Sequence, residues 1–332
     1  MEQSPQERPK TTTVYAGLTW DDIVGAAALA AALSKKGYRV YVDLPSRDEL
    51  SNLRIVRSYA VGIQPKGGVS IVNSTAMVYS RSRRTGYVFR YNENGQGEVL
   101  MKLSTVSSVT EVVKEYLLTI SCSIELPQQL LDDVIAVNDG DLNRLSKVGR
   151  MIHGVHKLKG NDKNVRLILY NYAYNSILTK NLKPPQELSS LYAEYEKALK
   201  LAEGVVKEGR FMEMGSYRVA IISSRYGDDF IASNLDYLRP FASDILSSLC
   251  RQNGLAFLVY ENPGGIHEVR ACVRYNVSIA RVVDAIPSDV VDRLSVTTTQ
   301  TSVTLGFLDP NDATLENSLQ LVSRLISNLS KA

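Results

Sequence analysis

Strands and helices alternate through the first half of the chain, a long charged helix follows, and a shorter alternation closes it. That order predicts an α/β protein, with a doubly wound, mainly parallel sheet first and a second, smaller α/β domain after it. The length of 332 residues is too great for one ordinary core and argues separately for two domains. The charged helix sets the expected boundaries: a first domain over residues 1–184, a connecting helix over 185–209 and a second domain over 210–332.

The chain is organised around TVYAGLTWDDIVGAAALAAAL, which starts at Thr13. Residues 13–15 are β-branched or aromatic and read as a strand, and residues 17–22 as a turn. The small apolar residues beyond read as a helix to about residue 36, and Gly37 stands where such a helix ends in a left-handed residue. YRVYVD (38–43) is a second strand, residues 47–59 are expected to be helical, and 69–72 form a third strand. Strands over 75–79 and 87–91 flank the basic turn SRSRRTG, and the Asn- and Gly-rich residues 92–97 form a loop. Ser107 and Ser108 can cap a helix through residue 118, with Glu111 at capping-box spacing from Ser108. A helix over 126–137 stops at Asn138-Asp139-Gly140-Asp141, and residues 142–183 are helical around a lysine-rich connection at 157–163. Beyond the connector, strands are expected over 217–223, 255–260 and 268–274, and helices over 240–250 and 280–286. An extended run over 296–307 and an amphipathic helix over 315–329 finish the chain.

Hydrophobic residues at 44% and charged residues at 22% describe an ordinary globular protein. A net charge of +3 permits a local basic face but does not mark a whole-molecule nucleic-acid binder. Cys122, Cys250 and Cys272 show no CxxC spacing, so neither a zinc site nor a disulfide framework is implied and a reducing compartment is expected. The start, MEQSPQERPKTTT, has no apolar core of a signal peptide, and no run of about 18 apolar residues suggests a membrane span. Gly62, Gly67 and Gly68 form neither a dinucleotide fingerprint nor a phosphate loop, and no GxSxG motif appears.

Asp21 and Asp22 follow the first strand at a helix start, where α/β proteins place metals, phosphates and catalytic groups. The same position suits carboxylates that cap a helix and complement its dipole. His153 and His156, at i, i+3, read either as a metal pair or as a half-exposed pair beside Lys157 and Lys159. His267 lies in a turn after Pro263-Gly264-Gly265. Arg81, Arg83 and Arg84, with Lys35-Lys36 and Arg54/Arg57, read either as a phosphate-contacting surface or as solvated loops.

WDDIVGAAALAAAL, SSVTEVVKEYLL and VIAVNDGD, in this order, resemble segments of the DHH phosphoesterase superfamily. The resemblance implies a DHH-like first domain and a DHH-associated C-terminal domain. In active members, aspartates and histidines of four motifs hold two divalent metals, usually manganese, which orient a hydroxide for phosphodiester cleavage. Carried onto this chain, the first motif falls on Thr19, Asp21 and Asp22, with Asp22 at the glycine position. The second falls on Asn73, the third on Tyr91, Asn92 and Glu93, and the fourth on Asp139. The glycine-rich histidine motif of the second domain is replaced by VTTTQTSVTLGF. Only Asp21 and Asp139 remain of the expected ligands, so neither the manganese pair nor catalysis is expected.

Within the superfamily this ligand loss resembles degenerate RecJ-like proteins that are archaeal counterparts of cell division control protein 45. That resemblance implies a non-catalytic replication factor in a CMG-like complex with GINS and the MCM helicase. It also allows single-stranded DNA contact, for which the cationic run Arg81, Arg83 and Arg84 supplies the candidate residues, and implies a cytoplasmic, nucleoid-associated location. The alternatives are a manganese-dependent phosphodiesterase or single-strand exonuclease using Asp21, Asp22 and Asp139, and a stand-alone single-stranded DNA binder.

Overall fold

The computed structural model describes residues 10–274 and 277–331, and the polar start of the chain, residues 1–9, lies outside them. The chain divides into two compact units, Met1–Ala193 and Glu194–Ala332, and the division falls inside the long helix expected as connector. The first unit runs β1 (Thr11–Ala16), α1 (Trp20–Lys35), β2 (Arg39–Asp43), α2 (Arg47–Leu50), β3 (Arg54–Val56), β4 (Tyr59–Val61), β5 (Ser70–Val72), β6 (Thr75–Ser80), β7 (Thr85–Tyr91) and β8 (Gly97–Ser104). Helices α3 (Val109–Thr119), α4 (Gln128–Asp139), α5 (Lys147–Lys159), α6 (Lys163–Thr179) and α7 (Gln186–Lys207) follow.

The main sheet has the order β2-β1-β4-β6-β7-β8. The pairs β1–β2, β1–β4 and β4–β6 are parallel, and the hairpin β6–β7–β8 extends the sheet antiparallel. The strand order reverses between β2 and β4 around β1, as in a doubly wound fold. α1 is buried along nearly its whole length between the sheet and helices α3 and α6, which is why its sequence is small and apolar all round. Gly25 lets it sit close: a Cβ there would lie 3.0 Å from Val61 and 3.5 Å from Val113. The other sheet face is covered by a small parallel pair, β3–β5, whose Ile55 and Ile71 pack on Ala60, Ala76 and Tyr91.

Two expectations are corrected. Residues 47–59 are helical only over Arg47–Leu50 and then turn into strands. Ile55 needs the small sheet and Ala60-Val61 the centre of the large one, and Arg57, at φ 50°, makes the bend between them. Residues 97–104, given no element by the sequence, form edge strand β8, whose side chains are largely exposed and lack a clear apolar alternation.

The second unit contains β9 (Met212–Met214), β10 (Tyr217–Ile222), α8 (Asp229–Ser233), α9 (Leu235–Leu238), α10 (Ala242–Asn253), β11 (Leu255–Glu261), β12 (His267–Val273), α11 (Ile279–Asp284), β13 (Leu294–Thr298), β14 (Ser302–Phe307) and α12 (Leu315–Leu329). Its sheet runs β13-β14-β12-β11-β10-β9, with only β10–β11 parallel. The extended run expected over 296–307 is the hairpin β13–β14, closed by a bond from the Thr299 amide to the Ser302 carbonyl at 2.9 Å. Among the described residues, no helix is long and apolar enough to cross a membrane.

Candidate functional site

The carboxyl ends of β1 and β4 lie side by side where the strand order reverses, the usual place for a ligand in a doubly wound sheet. α1 begins there. Thr19 and Asp22 close a capping box: the Asp22 amide donates to Thr19 Oγ1 at 3.1 Å, and the Thr19 amide donates to Asp22 Oδ2 at 2.9 Å. The Asp22 carboxylate lies against the backbone of Gly17 and Gly62, and a Cβ at Gly62 would fall 1.8 Å from its Oδ1. Burial, and then the neighbouring Asp21 charge, push the Asp22 pKa up to about 7, against the Thr19 bonds and the Arg166 cation.

Buried groups hold this loop from behind. Arg166 on α6, fully buried, donates to the carbonyls of Ala16, Gly17 and Pro45. His156 Nε2 lies 2.8 Å from the Leu18 carbonyl. A carbonyl only accepts, so this nitrogen carries the proton; burial lowers the His156 pKa and keeps the ring neutral. In front of the loop is a cavity of about 550 Å³, whose lining includes Leu18, Thr19, Asp22, Arg47, Gln64 and Lys66.

Asp21 points the other way. Its Oδ1 accepts from the Thr110 amide at 3.0 Å and the Thr110 hydroxyl at 2.7 Å. Its Oδ2 accepts from the Val109 amide at 2.7 Å and Asn138 Nδ2 at 2.8 Å. Asn138 Nδ2 is also shared with the Ser107 carbonyl at 3.0 Å. A carboxylate offers about four lone-pair positions, and donors occupy all of them here. Asp21 therefore ties α1 to the amino end of α3 and to the last turn of α4. Burial raises its pKa, opposed first by the bonds from Asn138 and Thr110.

The other expected metal positions are not brought to this place. Because β6 runs parallel to β4 and β1, Asn73 precedes β6 at the opposite sheet edge. β7 runs antiparallel to β6, so Tyr91, Asn92 and Glu93 return to that same far edge, where the Asn73 amide donates to the Asn92 carbonyl at 3.0 Å. Met77 of β6 pairs with Val61 at the end of β4, so Asn73, four residues earlier, stands about 13 Å from that end. Tyr91 is buried in the apolar cluster under the small sheet. The positions level with the end of β1 are Val61, with Gly62 after it, on β4 and Met77 on β6.

Asp139, the last residue of α4, pairs with Arg84 at 3.1 Å on the surface, while its neighbour Asn138 reaches Asp21. Arg81 abuts the Gly140 turn, so Arg81 and Arg84 both sit at the carboxyl end of α4, where the helix dipole favours cations. Arg83 lies exposed at the hairpin tip. Lys35-Lys36 close α1 at the far edge and Arg57 precedes β4 there, so the expected joint basic surface is split. Among the described residues no group of three or more His, Cys, Asp or Glu side chains gathers to hold a metal, and His153 and His156 form no such centre. A manganese pair does not fit these residues: the carboxylate nearest the expected position has its lone pairs filled by protein donors.

The sequence also missed a buried polar knot in the second unit, at the adjoining ends of β10, β11 and β12. Glu261 Oε2 accepts from the Ser223 hydroxyl at 2.9 Å, the Ser224 amide at 2.8 Å and the Ser224 hydroxyl at 2.9 Å, and Oε1 accepts from Arg239 at 3.1 Å. His267 Nε2 lies 2.9 Å from Ser223 Oγ. Burial opposes the Glu261 charge, but the serine donors and Arg239 outweigh it and lower the pKa. This is no catalytic triad: the acid sits on the serine, His267 Nδ1 is buried without a partner among the described residues, and Ser223 and His267 are inaccessible. The readable signal was the turn NPGGI, which sets Glu261 opposite His267.

No protein-family model matches the chain, and no curated protein does. Among solved structures it is similar to RecJ with Mn2+ from Thermus thermophilus, at 13% identity and a TM-score of 0.46, covering 97% of this chain and 52% of that one. It is also similar to an exonuclease RecJ bound to manganese, at 13% identity and a TM-score of 0.49, covering 97% and 91%. A third is CDC45 from Entamoeba histolytica, at 9% identity and a TM-score of 0.39, covering 97% and 95%. The chain thus spans about half the length of the Thermus RecJ.

Proposed function

We propose that this chain is a non-catalytic DNA replication factor, a subunit of an archaeal CMG-like helicase complex that binds GINS and the MCM helicase. The observation that carries the non-catalytic part is the engagement of Asp21, whose two oxygens accept four hydrogen bonds from α3 and Asn138. In this reading a carboxylate that would grip a cation in an active phosphoesterase has become a brace between helices, and the fold is kept for its surfaces. The replication part is supported by the resemblance of WDDIVGAAALAAAL, SSVTEVVKEYLL and VIAVNDGD to the DHH superfamily, together with the ligand loss that resembles its degenerate RecJ-like proteins. Single-stranded DNA contact falls to the hairpin tip, where Arg83 is exposed.

The test is purification of the untagged protein from its host, with an oligonucleotide assay on the same fractions. GINS and MCM subunits in the eluate, and an intact single-stranded oligonucleotide after incubation with manganese, are the expected results. Stepwise shortening of the oligonucleotide by the purified chain, lost in Asp22→Asn, would identify a working phosphodiesterase instead.

A further inference from the structure

We propose that the chain forms a two-fold homodimer through the free edge of β2, joining two main sheets into one continuous sheet. This stands independently of the replication reading. β2 is the terminal strand of its sheet, so the backbone groups on its outer side have no strand partner among the described residues.

The hydrogen bonds fix which groups point outward. The Arg39 amide donates to the Lys10 carbonyl at 2.9 Å, so Arg39, Tyr41 and Asp43 bond toward β1. Val40 and Val42 alternate with them and present their amides and carbonyls to the outside. A second copy pairing antiparallel across a two-fold axis must set these two residues against their counterparts, which leaves axes through Val40, Tyr41 or Val42. Only the axis through Tyr41 matches charge: it sets Arg39 opposite the second copy's Asp43, twice, with Val40 opposite Val42 and Tyr41 opposite itself. RVYVD is, in this sense, self-complementary.

The side chains on this edge are placed for it. Tyr41 is 49% exposed, with the Arg39 guanidinium 5.4 Å from its ring centre. Arg39, Tyr41 and Asp43 would form non-hydrogen-bonded cross-strand pairs, the kind whose side chains come closest. α6 flanks the same edge, since Lys163 stands 4.0 Å from Asp43 and Arg166 reaches the Pro45 carbonyl. One turn beyond Lys163, Leu167 is 49% exposed and offers an apolar side chain to be covered. The opposite edge does not share this property. A bulge breaks the ladder between β7 and β8 opposite Val88/Phe89, which shifts the outward groups of β8 out of phase along its length.

The experiment is sedimentation velocity on the full chain over a wide concentration range, with charge reversals. The wild type is expected to pass from the 36.7 kDa of one chain to twice that mass as concentration rises. Arg39→Asp and Asp43→Arg, each of which sets like charges opposite one another, should weaken dimerisation by about tenfold or more, while Arg39→Asp/Asp43→Arg restores it. Tyr41→Cys should give a symmetric disulfide-linked dimer under mild oxidation. Circular dichroism and melting of each variant establish that it is folded, and the cysteine variant reads the geometry without any charge change. A wild type that stays at one-chain mass at the highest concentration, or a dimer indifferent to both reversals, would overturn the proposal.

Discussion

Replacing Asp21 by alanine separates a brace from a lost metal ligand by the sign of its effect on stability. If Asp21 is a brace, Asp21→Ala removes the acceptor for the first amides of α3, a capping loss of about 1–2 kcal/mol. It also removes the charge-assisted bonds of the Thr110 hydroxyl and the Asn138 amide, which keep only the Asp21 and Ser107 carbonyls as acceptors, at about 1–2 kcal/mol more. The sum is about 3 kcal/mol, or roughly 6–12 °C in the melting of a unit this size. A carboxylate kept for a metal behaves oppositely in the metal-free protein, because its removal relieves repulsion with Asp22 and stabilises the fold. The assay is thermal and urea unfolding of wild type, Asp21→Ala and Asp21→Asn in chelator. Asp21→Asn should fall between the other two, since one of its atoms still accepts while its amide group faces donors. Removing the Asp21 charge should also lower the Asp22 pKa from about 7, visible in a carboxyl NMR titration. An Asp21→Ala protein as stable as wild type, or more stable, refutes the reasoning.

Three further outcomes follow from the same geometry. The Asp22 carboxyl titrates at 3.8 when unfolded and at about 7 when folded, so between those values the unfolded chain has released a proton the folded chain keeps. Folding free energy should therefore fall as pH rises through that window, and Asp22→Asn, which still accepts from Thr19, should flatten the slope in urea titrations at stepped pH. Gly62→Ala, at φ +74° and with its Cβ 1.8 Å from Asp22, should cost about 2 kcal/mol or more, whereas Gly37→Ala, at φ +85° in open space, should cost about 1 kcal/mol; calorimetric melting of both tests the difference. Glu261→Ala should destabilise the second unit by about 1–3 kcal/mol, because it leaves the buried Ser223 hydroxyl without its acceptor and takes one of several partners from half-buried Arg239. Hydrogen exchange should show the loss in β10–β12, with α1 protection unchanged.

Much of the fold was legible because local chemistry and tertiary context agree. α12 carries one apolar stripe between Thr314 and Ser330, and its limits are those the sequence gives. Gly140 stops α4 in the left-handed conformation its position demands. Residues 47–59 failed because their strands are specified by burial in two different sheets, which no local period records. The site was legible at Asp22, whose capping partner is three residues away, and not at Asp21, whose partners begin 88 residues on. Asn73 and Tyr91 to Glu93 come from matching motifs in order along the chain, which carries no record of strand direction. Strand direction and sheet membership decide which edge a residue reaches, and both are set by long-range pairing.

The most direct measurement is a calorimetric titration of the chelator-treated, full-length protein with manganese. With the Asp21 oxygens held by Val109, Thr110 and Asn138, the account predicts heats no larger than those of dilution across the micromolar range. Tight uptake of two ions per chain, abolished in a folded Asp21→Ala variant, would contradict it.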